Sequence, residues 1–168
     1  MGAYGDNAGM DDLLTAMRDK VKQESTNLRY LRSVAIATEL LGPIGDGLSL
    51  FFVPTGSPEE SLGTEAGLHL YRATHEVDIV CVHYTASPFE EDAVIGTGRT
   101  TGLVGLVSDV LDYFSDNTLS LAGLEANMPP EIQAPSGAYS TFQIEGEERF
   151  LNLATLKYEA TTKPFTRS

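Results

Sequence analysis

The sequence predicts an α+β domain of two layers, in which a mostly antiparallel sheet of about 4–6 strands carries two helices packed on one face. Three observations lead to this prediction. One segment has a clear helical period, several runs alternate like strands, and the strand-like runs follow one another through short turns. Strands joined by short turns pair antiparallel, so the sheet is expected to be mostly antiparallel.

The length of the chain suits one domain with one core, because 168 residues can bury enough apolar surface without disulfides. We place a flexible tail at residues 1–9, the domain at 10–162 and a second tail at 163–168. Cys81 is the one cysteine, which predicts a reduced, intracellular setting. No signal-peptide pattern and no apolar run of membrane-spanning length are found, so no membrane association is expected.

Two segments have the apolar spacing of amphipathic helices. The first is about Met10 to Gln23, with acidic residues at its start and lysines near its end. The second follows Thr100 and Thr101, either of which can cap its first turn, and it stops near Asp116. Its stripe has spacings of 3, 4, 7, 8 and 11 and consists of Leu103, Leu106, Val107, Val110, Leu111 and Phe114.

The first strands are expected at Leu48–Val53 and Leu68–Tyr84. The second of these is apolar on both faces from Val77 to Val82, which is typical of a central strand, and its length predicts a bulge or bend near Ala73. Tyr30–Leu41 is either a strand or a short helix, because its apolar run has no decisive period. Residues 54–67 are predicted to be a flexible acidic loop.

The second half of the chain is expected to contain loops and a hairpin. Thr85–Gly98 and Leu119–Gly137 are predicted to be loops. Tyr139–Glu145 and Arg149–Thr161 alternate as strands, joined at Gly146-Glu147-Glu148. In the last strand one face is formed by Phe150, Asn152, Ala154, Leu156 and Tyr158, and the other by Leu151, Leu153, Thr155 and Lys157.

Charge is unevenly distributed along a chain whose net charge is −13. Five of the eleven basic residues lie between Arg18 and Arg32, whereas Ser33–Glu148 contains only Arg72 and Arg99 against eighteen acidic residues. Tight phosphate binding needs clustered Lys and Arg, so this composition argues against it. The acidic surface either serves solubility or belongs to a protein that must pass close to nucleic acid without binding it.

Four residues of the long central strand deserve a metal-site test, because imidazole and thiolate bind zinc. His69, His75, Cys81 and His83 share one face if the strand is uninterrupted, but Val77 and Ile79 lie between them and no recognised ligand spacing is present. We therefore predict core or interface side chains and no metal site.

Two further patterns invite a chemical interpretation. Asp78 beside His75 invites an acid–base or triad interpretation, but no activated-serine motif accompanies them. The segment Gly96–Gly102 before the second helix lacks the lysine of a phosphate-binding loop, so a lead-in to the helix is the favoured interpretation. Cys81 is expected to be a core residue. No enzyme activity and no cofactor are predicted.

Several segments together resemble the tail terminator proteins of long-tailed phages. They are the amphipathic MDDLLTAMRDKV, the strand with its extension LSLFFVPTG, the long strand HEVDIVCVHY and the helix end VLDYFSDNTLSLAGLE, followed by two strands. The resemblance covers Met10 to about Thr162. It implies a small α+β subunit of a hexameric ring that caps the tail tube and offers a platform for the head.

The resemblance also implies partners and a location. The partners are further copies of the chain, the tail tube protein and a neck or head-completion protein, at the head–tail junction of the virion, after assembly in the host cytoplasm. Genomic DNA passes through the acidic lumen without specific binding. The residues expected at interfaces are Pro54, Glu59, Glu60, Glu65, Glu90, Glu91, Asp92, Phe150, Leu156 and Tyr158.

Three alternatives remain open from the sequence. A neck or head-closure connector protein has a similar small fold and differs in its partner. A small metal-dependent enzyme would use His75, Asp78, Cys81 and His83. An acidic regulatory binder or DNA mimic would be a monomer or dimer that competes with nucleic acid for a basic partner.

Overall fold

The computed structural model describes residues 9–24, 28–37, 47–85, 91–97, 101–116, 121–125, 131–133, 139–143, 146 and 149–167. The elements, in chain order, are α1 (Met10–Glu24), β1 (Ser33–Ile36), β2 (Gly47–Gly56), β3 (Glu59–Glu65), β4 (Leu68–Thr85), α2 (Glu91–Ile95), α3 (Leu103–Asp116), β5 (Glu131–Gln133), β6 (Ser140–Gln143) and β7 (Phe150–Thr161).

The strands form one mixed sheet in the order β1-β2-β4-β7-β5, with β3 also paired to β4 and β6 also paired to β7. The pair β1–β2 is parallel, and the other pairs in the described part of the chain are antiparallel. The predicted α+β fold is confirmed. The predicted number of strands was too low, because the sheet has seven strands and β3 and β5 lack an apolar alternation.

One face of the sheet carries the main core. Leu50, Cys81 and Ala154 lie side by side across β2, β4 and β7, and the same alternation continues along each strand. Buried side chains of α1 and α3 belong to the same cluster as this sheet face. Its largest fully buried members are Tyr158, Phe52, Phe114, Leu13, Met17, Leu50, Ile79, Leu103, Leu106, Leu156 and Val77.

The opposite face of the sheet carries a second, smaller apolar cluster. Phe51, Val80, Val82 and Tyr84 are buried there, and Leu153 packs against them. The run Val77–Val82 was predicted to be apolar on both faces because β4 is a central strand. β4 is indeed central in the sheet and has buried side chains on each side.

Both predicted helices are present at nearly the predicted bounds, α1 at Met10–Glu24 and α3 at Leu103–Asp116. The start of α3 differs from the prediction. Gly102 directly precedes the helix and its carbonyl oxygen accepts the N–H of Leu106 at 3.0 Å. A side chain at Gly102 would approach the carbonyl oxygen of Val94 to 2.6 Å, so glycine at this position lets α2 and α3 touch.

The long strand β4 was expected to contain a bulge or a bend near Ala73, and the register places no bulge in β4 itself. β4 runs without interruption from Leu68 to Thr85, and the irregularities lie in its partners, between Pro54 and Gly56 in β2 and between Ser61 and Gly63 in β3. An extra residue in a partner strand absorbs the strain of a long twisted ladder, so the central strand itself keeps its alternation.

Three other loop predictions were wrong in part. Residues 54–67 contain the end of β2, the whole of β3 and a tight turn. Tyr30–Leu41 was predicted to be either a strand or a short helix, and its described part contains the strand β1, so the strand alternative is confirmed there; residues 38–41 lie outside the described residues. Thr85–Gly98 contains the short helix α2, and Leu119–Gly137 contains β5. The predicted hairpin of β6 and β7 is confirmed, with Gln143 opposite Phe150.

The predicted tail at 163–168 is also corrected for its described part. Phe165 is buried, and its backbone exchanges two hydrogen bonds of 2.9 Å with Tyr71 of β4. The chain therefore continues beyond β7 as a packed segment along β4. The N-terminal residues 1–8 lie outside the described residues.

Candidate interaction surface

A long hairpin is the feature that sets this sheet apart. β2 pairs with the second half of β4, and β3 pairs with its first half, from Glu59 opposite Ala73 to Glu65 opposite Leu68. The two residues between β3 and β4 both have positive φ, 52° at Ala66 and 81° at Gly67. That conformation is a two-residue turn with the twist that antiparallel hairpins favour.

The distal part of the hairpin, which we call the arm, consists of residues 59–69 of β3, the turn and the start of β4. Each of these side chains is exposed. Two leucines are among them, Leu62 with 38% and Leu68 with 48% of its surface accessible. Within the described residues β3 pairs with β4 alone, so its outer edge is open. The arm is a projecting element with apolar side chains and an edge strand.

The base of the arm is held by the end of the chain. Thr162 accepts the backbone N–H of Ala73 through its hydroxyl oxygen at 3.0 Å, and Phe165 pairs with Tyr71 through its backbone. The guanidinium of Arg167 lies 5.2 Å from the centre of the Tyr71 ring and also pairs with Glu59. These contacts fix where the arm leaves the sheet, so the arm is presented in a defined direction.

A second polar feature lies on the sheet near the base of the arm. A pocket of about 240 Å³ contains Glu76, Asp78 and Glu159, with Lys157 among them. Burial raises the pKa of Asp78, the ammonium of Lys157 acts in the opposite direction, and the carboxylate of Glu76 adds to the rise. The pocket adds to the acidic character of this face of the sheet.

The predicted interface residues divide according to exposure. Glu59, Glu60 and Glu65 lie on the exposed arm. Pro54 lies half-buried near the end of β2, and Phe150 lies half-buried at the start of β7.

The remaining predicted interface residues lie in and around α2 and in β7. Glu91 is exposed and Asp92 follows it in α2, whereas Glu90 lies outside the described residues. Leu156 and Tyr158 are buried to 0% and 1% exposure, so they belong to the core and not to an outer surface of the folded chain. The prediction that they share one face of β7 was correct. That face is buried beneath α3, so the prediction that they lie at an interface was wrong.

The candidate metal residues do not form a site in the described part of the chain, where no group of three His, Cys, Asp or Glu side chains could hold a metal ion. Cys81 is completely buried, and burial raises the pKa of its thiol. His75 is buried and its Nδ1 lies 2.8 Å from the hydroxyl of Ser57. Asp78 stands on the opposite face of β4 from His75, so the predicted acid–base pair is not formed.

The positions of several residues that define the arm and its base were not predicted. Leu62 and Leu68 sit in a stretch rich in glutamate and glycine, and Phe165 and Arg167 lie in the presumed tail. An alternation of Leu68, Leu70 and Arg72 with His69 and Tyr71 was visible, and extending the strand signal backwards through the turn at Ala66-Gly67 would have revealed the hairpin.

No model of a known protein family matches the chain, and no functionally curated protein matches it. Among the described residues no helix is both long and apolar enough to cross a membrane.

Proposed function

We propose that the chain is a structural virion protein, a tail terminator whose copies form a ring that caps the tail tube and offers a platform for the head. The observation that carries the proposal is the exposed arm on a sheet packed against helices. An arm held at its base by the C-terminal segment is suited to contact a neighbouring subunit rather than to bind a small molecule.

Charge supports the same proposal. The chain has a net charge of −13, and the described sheet face near the arm includes Glu76, Asp78 and Glu159. A ring through which DNA travels benefits from like charge along its path, since counterion release would otherwise trap the duplex. In this proposal the partners are further copies of the chain, the tube protein and a neck protein, and the ring has six subunits.

The test is electron microscopy of the full chain, alone and mixed with uncapped tail tubes of the same virus. We expect six-fold rings at one end of each tube. Docking on portal-bearing heads with no affinity for tubes would replace this proposal with a neck protein. A chain that binds neither tubes nor heads would overturn the virion proposal altogether.

A further inference from the structure

The arm and Arg32, the last residue of the basic segment Arg18–Arg32, lie at opposite ends of the sheet. The backbone N–H of Arg32 donates to the carbonyl oxygen of Leu48 at 2.8 Å, and Leu48 is opposite His83 near the far end of β4. The tip of the arm, at Ala66-Gly67, adjoins Leu68, the first residue of β4. Fifteen residues of strand separate Leu68 from His83, which corresponds to about 45–50 Å. The arm therefore cannot reach Arg32 of its own subunit.

The two ends have opposite charge. The arm contains three glutamates and no lysine or arginine. The segment Arg18–Arg32 contains five of the eleven basic residues of the chain, and Arg29 and Arg32 are exposed just before β1. Residues 149–167 contain four further basic residues, and at the base of the arm Arg167 and Arg72 pair with Glu59 and Glu60 of the same subunit. Arg29 and Arg32 are the exposed basic residues at the far end of the sheet, where they can attract the glutamates of a second copy's arm.

We propose that the arm of one copy docks on the Arg29–Arg32 end of a second copy, head to tail. Leu62 and Leu68 supply the apolar contact, and Glu60 and Glu65 face the guanidinium groups of Arg29 and Arg32. Because the two surfaces differ, the contact is heterologous, and repetition of it closes a ring or extends a filament. The inference rests on the self-association in the proposed function and names the surfaces that carry it.

A charge swap between two variants tests the contact. The variant Glu60→Lys/Glu65→Lys carries a basic arm and a basic end, and Arg29→Glu/Arg32→Glu carries an acidic arm and an acidic end. Each variant alone should associate at least about tenfold more weakly than the native chain in sedimentation velocity at low salt. Mixed in equal amounts, they should regain native assembly, because each arm then meets an end of opposite charge.

A control variant separates position from net charge. Ser108→Lys/Asp112→Lys raises the net charge at two exposed positions of α3, by about as much as the two Glu→Lys changes raise it in the arm. This variant should keep native assembly. A further variant, Leu62→Ser/Leu68→Ser, should weaken assembly while leaving the charges unchanged. Regained assembly in the mixture also shows that both charge variants are folded.

Other outcomes contradict the inference. If either charge variant assembles as well as the native chain, or if the mixture stays dissociated, the arm does not dock on this end. A native chain that stays monomeric at high concentration and low salt also overturns it. The two proposals can fail separately. If native rings cap tubes but both charge variants still assemble alone, the proposed function stands and the proposed contact is refuted. If the mixed variants assemble but do not bind tubes, the contact stands and the function is refuted.

Discussion

Ala66 occupies an unfavourable backbone conformation at the tip of the arm. Its φ is 52°, in the left-handed region where a Cβ atom is crowded by the neighbouring carbonyl oxygen. The following residue, Gly67, meets no such penalty. The cost at Ala66 is about 1 kcal/mol, and it falls on an element whose side chains are exposed and contribute no buried core.

Ala66→Asn is therefore expected to stabilise the arm, because asparagine followed by glycine is the preferred pair for this turn. Hydrogen exchange should show slower exchange of the β3 amides, by up to about fivefold for a gain near 1 kcal/mol. Ala66→Val is the matched opposite and should speed exchange. Equal exchange in the two variants would show that the turn does not limit the order of the arm.

Tyr158 carries a buried hydroxyl with no hydrogen-bond partner among the described residues. A buried polar group without a partner costs about 1–3 kcal/mol of desolvation, while the ring itself packs 5.6 Å from the centre of Phe114. The residue thus stabilises the core through its ring and weakens it through its oxygen.

Tyr158→Phe should raise the free energy of unfolding by about 1 kcal/mol, measured by urea denaturation. Tyr113→Phe is the control, since that hydroxyl donates to the carbonyl oxygen of Lys20 at 3.1 Å and its loss should destabilise. Destabilisation by Tyr158→Phe as large as that by Tyr113→Phe would mean that the Tyr158 hydroxyl has a partner.

At the scale of elements, an aromatic cluster contributes to the packing of α3 on the sheet. The ring of Phe114 meets Tyr158 edge-on, and the centre of Phe52 in β2 lies 6.1 Å away. On the outer side Asp109 accepts a hydrogen bond of 2.6 Å from Tyr30, which ties α3 to the segment before β1. The helix therefore connects β2, β7 and the basic segment.

Phe114→Ala should cost about 3–5 kcal/mol, because it leaves a cavity between a helix and two strands. Thermal or chemical unfolding measures this loss, and Asp112→Ala, at an exposed position of the same helix, should change stability by less than about 0.5 kcal/mol. A loss below about 1 kcal/mol for Phe114→Ala would show that α3 is not fixed to the sheet through this cluster.

At the scale of the whole molecule, the folded chain keeps three side chains protonated at high pH, one cysteine thiol and two tyrosine hydroxyls. Burial raises the pKa of Cys81 and of Tyr158, and burial followed by the hydrogen bond to Asp109 raises the pKa of Tyr30. The unfolded chain releases these protons from about pH 8.5 for cysteine and about pH 10 for tyrosine, while the native chain keeps them. The stabilisation that these groups contribute is therefore fully present below these pH values and is lost as the pH rises above them.

The free energy of unfolding should be flat near neutral pH for these groups and should fall above about pH 9. Cys81 and Tyr158 each contribute a slope of about 1.4 kcal/mol per pH unit once the unfolded group is ionised. Urea denaturation between pH 7 and 11 measures the slope, and Tyr158→Phe should reduce it above pH 10. A stability that stays constant to pH 11 would contradict the burial of these groups.

Much of the fold could be predicted from periodicity. The apolar stripe from Leu103 to Phe114 predicted α3, and the alternation in Arg149–Thr161 predicted which residues of β7 face the core. Both predictions succeeded because a helix or strand buried on one side must repeat its apolar residues with its own period. β3 escaped prediction because its strand state comes from backbone pairing with β4 and not from buried side chains.

The sequence alone determined the α+β class, the two main helices, the central strand and the separation of basic from acidic segments. Only the tertiary structure decided that residues 59–69 project as an arm, that Phe165 packs on β4, and that the arm and Arg32 lie at opposite ends of the sheet. The reason is physical. Burial leaves a periodic trace in the local sequence, whereas strand register and the partners of exposed backbone depend on residues far apart in the chain.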